Sequence, residues 1–158
     1  MFRQMNRIQQ QLPQEEAIAL LNQQPRGVLS LQGDDGYPYG VPTNFWYSDA
    51  DGCIYFHSGD RGHKVDSLNR SAKASLTVLD SGTRKEGDWA LTFRSVIVFG
   101  EIEVLSDAGA AMEAARSFSL QFTQDLAFIE GEIRSYGHET LCFRLRPRHI
   151  TGKWVREA

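Results

Sequence analysis

Between Ile54 and Lys64 the sequence reads Ile-Tyr-Phe-His-Ser-Gly-Asp-Arg-Gly-His-Lys, an apolar run that breaks into a polar turn with two glycines and then a helix-forming stretch. Ser58 supplies a hydroxyl, Gly59 and Gly62 free the backbone amides, and Lys64 places a fixed positive charge in the first turn of the helix-forming stretch. Together these are the donors that hold an anion such as a phosphate group. A helix N-terminus alone favours an anion by about 0.3–1 kcal/mol, whereas a hydrogen bond to a charged group contributes about 1.5–3 kcal/mol. Ser58 and Lys64 would therefore carry most of such a grip. Taken alone, the segment equally describes a polar turn with an exposed lysine. It is not a nucleotide-hydrolysing P-loop, because only Asp60 and Arg61 separate Gly59 from Gly62 and Val65 follows Lys64 where a Ser or Thr is needed. His57 and His63 fall on different elements, with no acid or thiol at metal-type spacing, so no metal site is expected.

A second group of chemistry-bearing residues is Pro42-Thr43-Asn44-Phe45-Trp46-Tyr47. Asn44 can donate and accept, and proline loosens the strand that carries it, so backbone groups and this amide could meet the polar edge of a flat heterocycle. The plainer alternative makes Phe45 and Tyr47 core residues and Asn44 part of a turn. Arg94 and Ser95 stand at the entry of the strand Phe93–Gly100, and Thr151-Gly152-Lys153-Trp154 near the end of the sequence adds a cation and an indole. Those last residues suit either a lid or packing between subunits. No GxSxG elbow and no outstanding pair of acids suggests hydrolysis.

The elements that must position these residues are readable from periodicity and turn chemistry. A helix over about 13–23 starts on Pro13, Glu15 and Glu16 and stops before Pro25. Strands follow over Arg26–Gln32, Tyr37–Ser48 and Cys53–His57, joined by the turns Asp34-Asp35-Gly36 and Asp49-Ala50-Asp51-Gly52. Pro38 and Pro42 place part of the second strand at an edge or a bulge. A short helix over Lys64–Asn69 leads to a strand over Ala74–Leu79. A polar connection then precedes a long strand over Ala90–Leu105, whose alternation fits burial on both faces, with a bend at Gly100. A helix over about 106–124 begins on Ser106-Asp107, a further helical piece covers Asp125–Arg134, and the last strand, Thr140–Leu145, leaves Pro147–Trp154 as a tail. Hairpin-linked strands with flanking helices favour a small antiparallel barrel. A Rossmann fold would need alternating strands and helices and a GxGxxG, which is absent.

The 158 residues, 41% hydrophobic and 23% charged, suit a single domain with a real core. A net charge of −3 gives no reason to expect nucleic acid or an anionic membrane as partner. Cys53 and Cys142 lack CxxC spacing and read as reduced, buried thiols. The N-terminus lacks the apolar core of a signal peptide and no stretch is long enough to span a bilayer, so a cytoplasmic protein is expected.

Several blocks carry a family resemblance: Glu15-Glu16-Ala17 through Leu21, Arg26-Gly27-Val28-Leu29, Gly36-Tyr37-Pro38-Tyr39 with Val41-Pro42, Ile54 to Ser58 with Gly62-His63-Lys64, Ser95 to Gly100, and Thr151-Gly152-Lys153. Through them the chain resembles the FMN-binding split β-barrel proteins related to pyridoxamine 5'-phosphate oxidase, most closely the nitroimidazole-resistance, flavin reductase-like branch. The resemblance implies a mainly β fold, an antiparallel split β-barrel with flanking helices. It implies that Ser58 and Lys64 contact the FMN phosphate with His57 and His63 beside it, that Pro42, Thr43, Asn44 and Phe45 line the isoalloxazine, and that Ser95 joins the same site. It further implies a homodimer with flavin at the interface, in which Trp154 or Arg94 of one chain completes the site of the other. The activity implied is flavin-based transfer of electrons from NAD(P)H to a small acceptor such as a nitroaromatic compound, without a catalytic side chain. The alternatives are a flavin-binding or sensing module without turnover, or a split barrel using a deazaflavin or haem, with His57 or His63 as the haem candidates. The arginine-rich substrate set of true pyridoxamine phosphate oxidases is missing, and Arg156 alone does not restore it.

Overall fold

The computed structural model describes residues 1–157. Helix α1 (Gln14–Gln23) is followed by strands β1 (Arg26–Gln32), β2 (Pro38–Asn44), β3 (Trp46–Tyr47) and β4 (Ile54–Gly59), and then by helix α2 (His63–Arg70). Strands β5 (Lys73–Leu79), β6 (Thr83–Arg84) and β7 (Leu91–Val104) precede helices α3 (Ala108–Ser119) and α4 (Leu126–Tyr136), and β8 (Thr140–Arg156) closes the chain. The strands form one antiparallel sheet in the order β2-β1-β5-β7-β8-β4-β3, with β6 paired to β7.

This sheet curls because β2 runs directly into β3 while the two pair with opposite ends of the strand order. The hand-over is at Phe45, whose ring is buried and whose N–H donates to Pro25 O at 3.2 Å. The second strand read from the sequence is therefore two strands with a break at Phe45. Pro38 and Pro42 lie on β2, the end strand of the order, where a missing N–H costs no ladder bond.

Inward side chains alternate along each strand. Leu29 and Leu31, Leu76 and Val78, Val96 and Val98, Ile54 and Phe56, and Phe143 and Leu145 make the core, and α1 adds Ala17, Leu20 and Leu21. Gly152 is the contact point for α1, since a Cβ there would lie 2.9 Å from the Cβ atoms of both Leu12 and Ala17. Leu12 N–H donates to Gly152 O at 2.9 Å, fixing the approach of the helix.

Three expectations are corrected. β7 is buried on one face only, because Ile97 and Phe99 remain 39% and 42% exposed in the single chain. The helix read over about 106–124 spans only Ala108–Ser119, capped by Asp107 Oδ1, while the further helical piece read over Asp125–Arg134 is present as α4, capped by Asp125. The tail Pro147–Trp154 belongs to β8, a strand of 17 residues. Proline does not end it, because the β7–β8 register shifts at Phe99/Gly100 and Pro147 pairs opposite Gly100 at that irregularity.

Candidate functional site

Alternation along β4 decides which side chains face out. Ile54 and Phe56 are buried, so Tyr55 and His57 share the outer face. After Ser58 the chain turns through Gly59 and Gly62, and at both of these a Cβ would meet nothing within 4 Å, leaving the backbone open. Gly62 has φ of 108°, which only glycine takes without strain, and it delivers the chain to α2 with Lys64 in the first turn. Lys64 is half-buried, and this loss of solvation lowers its pKa below the ordinary lysine value. Ser58 Oγ donates to Gly59 O at 2.8 Å.

The turn is tied to the β1–β2 hairpin. The ring of His63 stacks on Tyr39 at 4.0 Å and 18°, and its Nε2 lies 3.6 Å from Asp34. At the other end of α2, Arg70 donates to Asp34 Oδ1 at 2.6 Å and to Gln32 O at 3.0 Å. His63 is thus a strut that fixes the turn.

A cavity of about 400 Å³ joins Pro42, Thr43 and Asn44 to His57 and Arg26. Strand register places Arg26 opposite Asn44, and curling of the sheet brings β4 alongside. Thr43 Oγ1 donates to Asn44 O at 3.1 Å, and the Asn44 amide has no hydrogen-bond partner among the described residues. His57 keeps an exposed edge, but Phe118 of α3 meets its ring at 4.6 Å and 89°. Burial first, and then the charge of Lys64, lower the His57 pKa, so the imidazole is neutral at pH 7 and offers one donor and one acceptor. Phe45 lies in the core beneath this cavity and can offer only its backbone.

Ser95 and Trp154 lie elsewhere. Ser95 pairs with Lys153 and Trp154 with Arg94, whereas His57 pairs with Cys142, eleven residues earlier along β8. At about 3.3 Å per residue that is a contour of about 36 Å. Arg94 donates through Nε to Asp80 Oδ2 and through its N–H to Asp80 Oδ1, both at 2.9 Å. Burial of Asp80 opposes ionisation, but these bonds and one from Gly82 N–H outweigh it and hold the carboxyl below its usual range. The outer face near Ser95 carries Val28, Leu79, Ile97 and Phe99, all partly exposed, and Phe2 stacks on Phe99 and His149.

Arg26 and Phe118 were not foreseen from the sequence. The only signal for Arg26 is a cation directly after Pro25 at a strand start, and nothing local links Phe118 to His57. Among the described residues no group of three or more His, Cys, Asp or Glu could hold a metal, and no helix is long and apolar enough to cross a membrane.

The family model described as pyridoxamine 5'-phosphate oxidase matches residues 13–154. The chain belongs to the pyridoxamine 5'-phosphate oxidase family. The curled, mainly antiparallel sheet with flanking helices is the family's split barrel. Among solved structures, a candidate 5-nitroimidazole antibiotic resistance protein from Bacteroides thetaiotaomicron is 19% identical with a TM-score of 0.77, covering 92% of this chain and 87% of that one. An FAD binding protein from Mycobacterium smegmatis is 20% identical with a TM-score of 0.67, covering 94% and 99%. An FAD and haem binding protein from the same organism is 23% identical with a TM-score of 0.65, covering 91% and 72%. No curated protein sequence matches the chain significantly. Family membership rests on the sequence match, and the structural likenesses support the fold.

Proposed function

We propose that the protein is an FMN-binding oxidoreductase that takes reducing equivalents from NAD(P)H and delivers them to a small acceptor such as a nitroaromatic compound. The observation that carries this reading is the cavity joining Pro42, Thr43 and Asn44 to His57, with the open turn Gly59–Gly62 and Lys64 continuing from the same strand. The residues fit such a group: an amide without a protein partner for a heterocycle edge, accessible backbone donors, and one poorly solvated ammonium for a terminal phosphate. When bound, FMN supplies the hydride and electron chemistry.

The chain's own residues then have defined tasks. Lys64 Nζ balances the phosphate charge, and the first amides of α2 point at the same anion. The Asn44 amide, with backbone groups of Pro42 and Thr43, orients the ring system, and neutral His57 is held edge-on by Phe118. Tyr39 and Asp34 keep His63, and with it the turn, in place.

We further propose a homodimer across the outer face bearing Val28, Leu79, Ile97 and Phe99. This apolar surface accounts for partial exposure of residues that alternate as buried ones do, and a two-fold contact would bring Ser95 and Trp154 of one protomer to the His57 cavity of its partner. The test is the visible spectrum of the purified protein with identification of the released ligand, followed by stopped-flow reduction with NADH and NADPH. Bound FMN that is reduced and reoxidised by a nitroaromatic acceptor is the expected result. No flavin bound after FMN is supplied would overturn the reading, and tight FMN without reduction would make the protein a flavin-holding module.

A further inference from the structure

A second cavity, of about 420 Å³, lies between α3, the end of β7 and the outer faces of β3, β4 and β8, and shares no lining residue with the His57 cavity. Its aromatic wall is Trp46 and Tyr55, with ring centroids 5.1 Å apart and planes at 35°. Val104, Ala110 and Ala114 add an apolar lining. The charges at its rim are uneven. Glu103, Asp107 and Glu113 contribute three carboxylates, and Arg144 is the only cation in the lining.

Arg144 is already compensated. Its Nε and Nη2 both meet Glu103 Oε2 at 3.0 Å, and its Nη1 lies 3.4 Å from Asp51 Oδ2 and 3.2 Å from the Tyr55 hydroxyl. Each carboxylate, by contrast, commits one oxygen and leaves the other without a partner among the described residues. Glu103 uses Oε2 for Arg144 and Arg146, Asp107 uses Oδ1 to cap α3 through Ala110 N–H, and Glu113 uses Oε2 for Arg116. An acidic rim alone would be solvated surface. Here it borders a half-open space of ligand size that has an indole and a phenol ring on one wall. A phosphate or carboxylate ligand would meet the unpartnered carboxylate oxygens of Glu103, Asp107 and Glu113, and a neutral ring would gain nothing from them. A ring that carries a positive charge gains from both the aromatic faces and the carboxylates.

We propose that this cavity binds an aromatic organic cation, a flat ring bearing an ammonium or quaternary nitrogen. The site stands apart from the flavin reading and needs no cofactor to form. Tyr55 and His57 are two residues apart on the same face of β4, so an occupant would sit next to the His57 cavity.

The experiment uses the full-length, ¹⁵N-labelled protein at pH 7, titrated separately with phenethylammonium, phenethyl alcohol and 3-phenylpropionate while the three indole N–H signals are followed. Trp46→Phe assigns the Trp46 signal. The ammonium should shift that signal saturably, with about tenfold tighter binding than the alcohol, and the carboxylate should not bind. Glu113→Gln lies on an exposed helix face and should fold normally, and it should weaken the ammonium about threefold without moving the alcohol. Equal affinity for ammonium and alcohol, a response at Trp89 or Trp154 in place of Trp46, or no saturable shift would overturn the proposal. None of these outcomes bears on whether flavin binds.

Discussion

Lys64 sits half-buried in the first turn of α2 without an acidic partner among the described residues, and the burial that lowers its pKa also leaves its ammonium short of solvent. An anion placed there replaces missing hydration, which is why this lysine matters more to a ligand than to the fold. Lys64→Ala is expected to weaken FMN binding by about 1.5–3 kcal/mol, roughly tenfold to a hundredfold, with little change in the urea midpoint. Flavin fluorescence titration alongside unfolding curves checks both halves of that statement. Burial lowers the His57 pKa as well, and there the consequence falls on the fold. Its folded pKa lies below the unfolded value of 6.5, so as pH falls the unfolded chain takes up the proton first. The stability that neutral His57 contributes is complete above pH 6.5 and is lost as pH drops through the folded pKa. Urea unfolding at pH 7.5 and about pH 5 should therefore show a loss that His57→Gln reduces. The residue-level reading from sequence singled out Asn44, His57 and Lys64 because their types are unusual for where they stand in strand and turn. It missed Arg26, whose place opposite Asn44 depends on register and on curling of the sheet, neither of which leaves a mark in local spacing.

Among the elements, β8 departs most from its appearance in the sequence. Pro147 and Gly152 look like breaks, yet neither ends the strand: Pro147 pairs opposite Gly100 where the register shifts, and Gly152 admits α1 against the sheet. By contrast α1, β1, α2 and β5 were legible, since capping and periodicity act within a few residues. At Gly100 a Cβ would fall 2.2 Å from Arg146 O, a backbone atom that cannot move without opening the β7–β8 ladder. Gly100→Ala is accordingly expected to cost about 3 kcal/mol, read as a fall in the denaturation midpoint. Gly59→Ala, where a Cβ meets nothing within 4 Å, serves as the control and should leave the midpoint nearly unchanged.

For the molecule as a whole, the split barrel was foreseen from hairpin-linked strands, but the single-sided burial of β7 was not. The same alternation describes a strand covered on both faces, and the sequence does not say whether the second cover is its own chain or another. Ile97 is 39% exposed at the middle of the proposed contact, so Ile97→Glu should fold normally as a single chain. It should halve the mass seen by light scattering and lose FMN with it. A dimer that survives this change would remove the proposed interface.

The separation of eleven positions along β8 between the partners of His57 and Ser95 has a genetic consequence. If each site draws Lys64 from one protomer and Ser95 from the other, two differently damaged chains can repair one another. Lys64→Ala and Ser95→Ala proteins, each deficient alone, should on mixing and reassociation form hybrid dimers with one undamaged site and one doubly damaged site. Random pairing makes half of the dimers hybrid, so flavin-binding capacity should return to about one quarter of the parent value.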